Sequence, residues 1–259
     1  MYPNIWDSIV EKKHTTLIAG CDPKIDQQNL EAWCLQYIEE VAPYVAGIKC
    51  NPAYFQSEQG IRAMRRAADF CKQNNLLSII DYKVSDIGST NDAWFFFAKD
   101  LGFDMVTIAP YAGNIEQAIE GAHRVGLGVI SIGLMSNPEF ISEAFFEGEE
   151  GNCLWQDRIE RAIRSGVDGL VLGATYTSDS DLLEKFVEVI QPSEVLLLVP
   201  GIGAQGGSVS DFLQSMESLG LDPKRCMLNV GRSLMYPTHY SQREEAEKLY
   251  LQLNKYIDF

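Results

Sequence analysis

Residues 76–86 read Leu-Leu-Ser-Ile-Ile-Asp-Tyr-Lys-Val-Ser-Asp, an almost wholly apolar run that ends in three charges, Asp81, Lys83 and Asp86. A strand wetted on one face alternates apolar and polar side chains. An unbroken apolar run is what a parallel strand covered on both faces requires. The same texture recurs at 15–22, 44–49, 105–110, 128–133, 169–173, 195–200 and 227–232. Between these runs lie segments with helical periodicity at 29–41, 58–73, 91–101, 115–123, 154–165, 180–190, 209–219 and 242–256. Glycine follows several of them, at Gly102, Gly126, Gly166 and Gly220, where a helix C-terminus favours it. Eight strand–helix pairs in about 250 residues is the count of a (β/α)8 barrel, an α/β fold, here expected as one domain over 1–259. The rival is a doubly wound sheet, which normally carries a glycine-rich turn after its first strand. Here the first strand ends in Cys21-Asp22-Pro23.

Composition narrows the function. The 259 residues are 46% hydrophobic, enough for a real core, and show no linker, repeat or low-complexity segment. Lys and Arg number 21 against 36 Asp and Glu, a net charge of −15. So acidic a surface repels nucleic acid and anionic membranes, and neither is expected as a partner. An anionic substrate then requires a locally positive pocket. The six cysteines, at 21, 34, 50, 71, 153 and 226, form no CxxC and read as reduced core thiols of a cytoplasmic protein. His14, His123 and His239 are scattered, so no metal site is expected. No run reaches the ~18 apolar residues of a membrane span.

In a barrel the active site lies where the strands end. The first strand ends at Asp22, the second at Lys49, the third at Asp81 and Lys83 with Asp86 beyond, the fourth at Pro110 and the fifth near Ser136. Charges capping buried strands are costly to desolvate unless paired, and two lysines with three aspartates at one mouth can satisfy each other. Asp81 and Lys83, two apart, project to the same face. Flanking carboxylates keep a lysine charged and aimed as an acid or electrostatic anchor; a plain salt bridge closing the barrel top is the alternative. The seventh strand runs into Pro200-Gly-Ile-Gly-Ala-Gln-Gly-Gly207 and the eighth into Gly231-Arg232. Backbone N–H groups of such a loop, with an arginine, suit a phosphate, although glycine loops are often only turns.

Two further stretches stay open. Trp94-Phe-Phe-Phe97 sweeps most of a helix circumference, so some rings must face away from the barrel, toward a homodimer partner or beneath a neighbouring helix or loop. Residues 135–153 are acidic, carry three phenylalanines and are long for a βα loop, as a lid or as a surface excursion.

These motifs resemble the orotidine 5′-phosphate decarboxylase family. DYKVSDIGST at 81–90 is similar to its Asp-x-Lys-x-x-Asp-Ile signature with Thr four residues after the last Asp. GIKCNPAYF at 47–55, MSNPE at 135–139, VPGIGAQGG at 199–207 and VGRS at 230–233 resemble its other segments, and GATY at 173–176 with SNPE its longer bacterial branch. Val84-Ser85, Cys50-Asn51 and Asn91-Asp92 depart from that branch without removing a charged group.

The resemblance implies a cofactor-independent conversion of orotidine 5′-phosphate (OMP) to UMP and CO2 in pyrimidine biosynthesis. It implies a charged network of Lys49, Asp81, Lys83 and Asp86, with Lys83 stabilising and protonating the carbanion at ring carbon six. Asp22 and Lys49 would hold ribose hydroxyls, Ser136 would read the pyrimidine edge and Pro200 would line the base pocket. Gln205, Gly231 and Arg232 would bind phosphate, and Asp86 and Thr90 would act across a homodimer. Two rivals share the frame: magnesium-dependent enediolate enzymes, which need an extra carboxylate where this chain has Lys49-Cys50-Asn51, and a non-catalytic barrel that senses UMP.

Overall fold

The protein, a computed structural model describing residues 2–137, 139–148, 151–202 and 208–259, is built on eight parallel strands. They are β1 (Leu17–Cys21), β2 (Gly47–Cys50), β3 (Leu77–Val84), β4 (Met105–Ile108), β5 (Gly128–Leu134), β6 (Gly169–Leu172), β7 (Leu196–Pro200) and β8 (Cys226–Val230). Each pairs with the next, and β8 returns to β1 with Leu17 opposite Leu228 and Ile18 opposite Asn229. The (β/α)8 barrel is closed, as the strand–helix count requires, and the doubly wound alternative falls.

The helices are α1 (Tyr2–Lys13), α2 (Leu30–Val41), α3 (Glu58–Asn74), α4 (Gly88–Asp100), α5 (Ile115–Arg124), α6 (Phe140–Ala144), α7 (Leu154–Arg164), α8 (Ser180–Ile190), α9 (Val209–Ser218), α10 (Arg232–Met235) and α11 (Gln242–Leu253). Gly102, Gly126, Gly166 and Gly220 all follow helices at positive φ, between 75° and 95°, the left-handed stop that glycine adopts without Cβ strain.

The continuous apolar runs are explained by two separate cores. One lies between the strands and the ring of helices and includes Leu17, Ile48, Ile80, Phe95, Trp155 and Phe212. The other fills the barrel itself with Ile18, Leu77, Ile79, Met105, Ile130, Ile132, Val171, Leu196, Leu198 and Met227. Side chains alternate between the two along each strand, and because both environments are dry, no polar alternation marks the sequence.

Helix α1 stands outside the eight-fold count. Trp6, Ile9 and Val10 turn from it into the barrel core, and Trp6 Nε1 donates to the Lys224 carbonyl at 2.7 Å. The helix therefore stoppers the N-terminal end and leaves the other end to chemistry. Elsewhere the boundaries move for local reasons. A 3-10 turn over Ala42–Tyr44 delays β2 to Gly47, and the short helix α10 ends β8 at Val230 rather than 232.

Candidate active site

Parallel pairing brings the charges together at the C-terminal mouth. Gly20 of β1 lies opposite Lys49 of β2, and Lys49 opposite Ile79 of β3, so Asp81 follows one pleat above Ile79 on the same face. Lys49 Nζ donates to Asp81 Oδ2 at 2.9 Å and lies 3.9 Å from Asp22 Oδ2. Lys83 Nζ donates to the other oxygen, Asp81 Oδ1, at 2.7 Å. Asp22 is steadied by the Asn51 N–H, which donates to its Oδ1 at 3.1 Å.

Asp81 is thus the hub, only 9% exposed and shared by two ammonium groups. Burial alone would raise its carboxyl pKa, but Lys49 and Lys83 outweigh that and hold it well below the usual carboxylate range. Burial alone would lower Lys49, which is 5% exposed; Asp81 and Asp22 reverse the sign and raise it. Asp22, Lys49, Asp81 and Lys83 form a quartet of two acidic and two basic side chains centred on the Asp81 carboxylate.

Lys83 carries a second constraint, in its backbone. Its φ is +50°, the left-handed region that a non-glycine residue enters at a cost of about 1–2 kcal/mol. The β3–β4 register shifts at this point, between Ile80 and Val84. Thr107 of β4 stabilises the distortion, its Oγ1 accepting the Lys83 N–H at 2.9 Å and donating to Asp81 Oδ1 at 2.9 Å. The lysine and aspartate do converge, but through a bulge clamped by Thr107 rather than by regular alternation. Strain held in this way clusters at functional sites.

The quartet stands in a cavity of about 450 Å³, within the range of small-ligand sites. Its lining is two-sided. Asp22, Lys49, Asp81 and Lys83 come from β1–β3, whereas Ile132, Val171 and Leu198 supply an apolar wall from β5–β7. Lys24 and Arg232 join the rim, so four cationic side chains face two anionic ones in a chain of net charge −15. This is the positive island that an anionic substrate needs.

Asp22, Lys49, Asp81, Lys83, Ser136, Pro200, Gly231 and Arg232 all line this one cavity. Gln205 lies outside the described residues, with the rest of 203–207. Asp86 and Thr90 are exposed and line no part of the cavity; the Asp86 carboxylate accepts the Ile87 N–H at 2.7 Å. Of the three aspartates expected at the mouth, two meet the lysines within this chain. On α4, Phe95 is buried and Phe97 packs against the core, while Trp94 and Phe96 are 42% and 69% exposed. In the 135–153 segment, Met135 and Ser136 line the cavity, whereas Phe146 is 67% exposed.

Sequence reasoning passed over Thr107, Asn229, Lys24 and Tyr236. Thr107 and Asn229 did leave a signal, each a lone polar residue inside an apolar strand, Met105-Val-Thr-Ile108 and Met227-Leu-Asn-Val230. Lys24 and Tyr236 left none: the Lys24 N–H donates to the Tyr236 hydroxyl at 2.9 Å across 212 residues.

A family model described as "Orotidine 5'-phosphate decarboxylase / HUMPS family" matches residues 15–249. The chain belongs to this family. Among curated relatives, an orotidine 5′-phosphate decarboxylase of Nocardioides sp. is 30% identical over 217 residues, 76% of each chain. Another, from Thermomicrobium roseum, is 30% identical over 249 residues, covering 89% of this chain and 85% of the relative. Solved structures share the barrel. Leishmania donovani OMP decarboxylase superposes with a TM-score of 0.77 at 23% identity, covering 96% of this chain and 97% of that one. The Methanocaldococcus jannaschii orotidine 5′-monophosphate decarboxylase complexed with the inhibitor BMP gives 0.71 at 24%, covering 92% and 98%. The family match spans every strand and the whole charged quartet.

Proposed function

We propose that this chain is an orotidine 5′-phosphate decarboxylase of pyrimidine biosynthesis, acting as one barrel domain over 1–259 and converting OMP to UMP and CO2 without a cofactor. The observation that carries the reading is the Lys83 ammonium. It is held 2.7 Å from Asp81 on a strained backbone, in a cavity whose opposite wall is apolar.

Decarboxylation breaks the bond between ring carbon six and the carboxylate. CO2 departs and the electron pair stays on the ring carbon, where nothing in the ring delocalises it. The site must then supply preorganised positive charge, worth most where water is excluded. Lys83 supplies it, donates a proton from Nζ to the carbanion, and its neutral amine regains a proton from solvent. Asp81 aims Lys83 through the 2.7 Å contact between them. Lys49 and Asp22 hold the ribose hydroxyls, Ser136 reads the base edge and Pro200 lines the base.

Gly231, Arg232 and Gln205 bind the phosphate. No ion pair engages the Arg232 guanidinium among the described residues, which leaves it for an anion at the mouth. Arg232→Ala is expected to weaken UMP binding by about 10- to 100-fold, the range of a lost charge-assisted contact. Unchanged affinity by calorimetry would remove Arg232 from the phosphate site.

Asp86 and Thr90 contribute to the partner's site in a homodimer. Supporting this, three large apolar side chains on and just before α4 are solvent-exposed in the single chain, Ile87 at 61%, Trp94 at 42% and Phe96 at 69%. Sedimentation should give twice the 29.0 kDa chain mass, and a monomer at assay concentration would sink the shared site. The compartment is the cytoplasm; six free cysteines, five of them buried, support a reducing environment, and no helix among the described residues is long and apolar enough to cross a membrane.

The deciding experiment follows the ultraviolet absorbance of OMP with purified protein and excess EDTA. Conversion to UMP supports the reading. Turnover that appears only with added magnesium would instead indicate enediolate chemistry on the same frame, and UMP binding without turnover would indicate a sensor.

A further inference from the structure

Asn229 has no place in the roles assigned so far. It lies on β8, opposite Ile18 of β1 and Pro200 of β7, two residues below Gly231 on the same face. It lines the cavity and is only 9% exposed, yet its Oδ1 has no hydrogen-bond partner. Three other buried polar atoms among the described residues share that condition, on Thr16, Asn91 and Trp155, and none of those residues lines this cavity. An amide in an otherwise apolar strand, its acceptor unused, lowers stability unless a ligand uses it.

Its direction is recorded by a neighbouring glycine. A Cβ at Gly20 would stand 3.4 Å from Asn229 Oδ1 and 3.2 Å from Gly231 Cα. The absent side chain at position 20 therefore opens the space over β1 into which the carboxamide reaches. Asp22 is the next residue but one, just past the end of that strand, and Lys49 lies opposite Gly20 on β2. Asn229 thus sits beneath the span between the proposed phosphate grip at Gly231 and the proposed ribose grip at Asp22 and Lys49.

The chemistry of the unused atom selects its partner. Oδ1 is an acceptor and needs a donor. The phosphate and carboxylate of the nucleotide are ionised and accept only, and the base edge lies at Ser136 on the far side, after β5. The remaining donors are the sugar hydroxyls. We propose that Asn229 is a further substrate-binding residue, its Oδ1 accepting a hydrogen bond from a ribose hydroxyl of the bound nucleotide. The proposal rests on the decarboxylase reading for the identity of the ligand.

The test compares wild type with Asn229→Leu, which fills similar space without the acceptor, and with Asn229→Ala as a smaller control. Calorimetry would use UMP, 2′-deoxy-UMP and 3′-deoxy-UMP. Both variants should bind UMP about five- to tenfold more weakly, as for one lost hydrogen bond. The loss should vanish for whichever deoxynucleotide lacks the contacted hydroxyl. Ligand-free Asn229→Leu should melt roughly 2–4 °C higher than wild type, because a buried unsatisfied acceptor has been removed. A purely structural Asn229 predicts the reverse, a lower melting temperature with nucleotide affinity unchanged. Equal losses for UMP and both deoxynucleotides would overturn the sugar contact, as would wild-type affinity in both variants. Wild-type turnover of OMP scores the parent reading separately, and absence of both turnover and UMP binding would overturn the two together.

Discussion

Lys83→Ala should lower OMP turnover by roughly 10⁴-fold or more, while UMP still binds within about tenfold of wild type. The size follows from the two roles that one ammonium combines. As a fixed charge beside the developing carbanion it stands where a single electrostatic contact is worth about 10²–10³ in rate. As the proton donor it contributes about 10²–10⁴ more. Neither role is exercised toward UMP, whose carbon six already carries hydrogen, so ground-state affinity is spared. The fold should persist, because Asp81 keeps its 2.9 Å partner Lys49 and its Thr107 hydrogen bond. Loss of activity is then a chemical effect, which single-turnover absorbance with parallel UMP calorimetry would establish. Turnover within tenfold of wild type would sink the mechanism. So would loss of UMP binding with the protein still folded, since Lys83 would then be a binding residue.

What the sequence disclosed about this site follows the physics of burial. The barrel was legible because strands packed between two dry cores cannot afford polar residues, and the few charges at their ends stand out against the apolar runs. Asp22, Lys49, Asp81 and Lys83 are such charges and they meet at the mouth, whereas Asp86, expected with them, stays outside it in this chain. The left-handed backbone of Lys83 was not legible, because φ is set by the Thr107 clamp on the neighbouring strand and Lys is an ordinary strand residue by type. The stopper helix α1 was missed for another reason. Trp6, Ile9 and Val10 form a narrow stripe flanked by Pro3, Asn4 and two lysines, and the hole they fill exists only once the barrel closes. Asn229 and Thr107 could have been singled out as polar intruders in apolar strands, but type alone does not separate a satisfied hydroxyl from an unsatisfied amide. Only the completed structure shows that Thr107 is engaged at both ends and Asn229 Oδ1 is not.

Asp81→Asn should be the most damaging single change to stability at this site. It leaves the Lys49 ammonium 5% exposed with its 2.9 Å counter-charge gone and Asp22 3.9 Å away, and stranding a buried charge costs about 3–5 kcal/mol. Turnover should fall as well, because Lys83 loses the carboxylate that aims it. The effect has a pH signature. Asp81 is depressed in the folded protein, so its stabilisation is fully present above its unfolded pKa of about 3.9 and is lost as pH falls through the folded value. In that acid window the unfolded chain binds a proton that the folded chain refuses. Lys49 is raised, so its contribution is complete below the ordinary lysine range and is lost only as pH rises through the raised value. From neutral pH down to pH 3.9 the urea-unfolding gap between wild type and Asp81→Asn should stay constant, and below about pH 3.9 it should narrow by about 1.4 kcal/mol per unit. A gap equally wide at pH 7 and pH 3 would mean that Asp81 is not the ionised hub. The double variant Asp81→Asn with Lys49→Met tests the cause, since it removes the stranded ammonium along with its partner. It should recover most of the lost stability and none of the activity. That outcome would show that the charges are there for the chemistry and that the barrel folds without them.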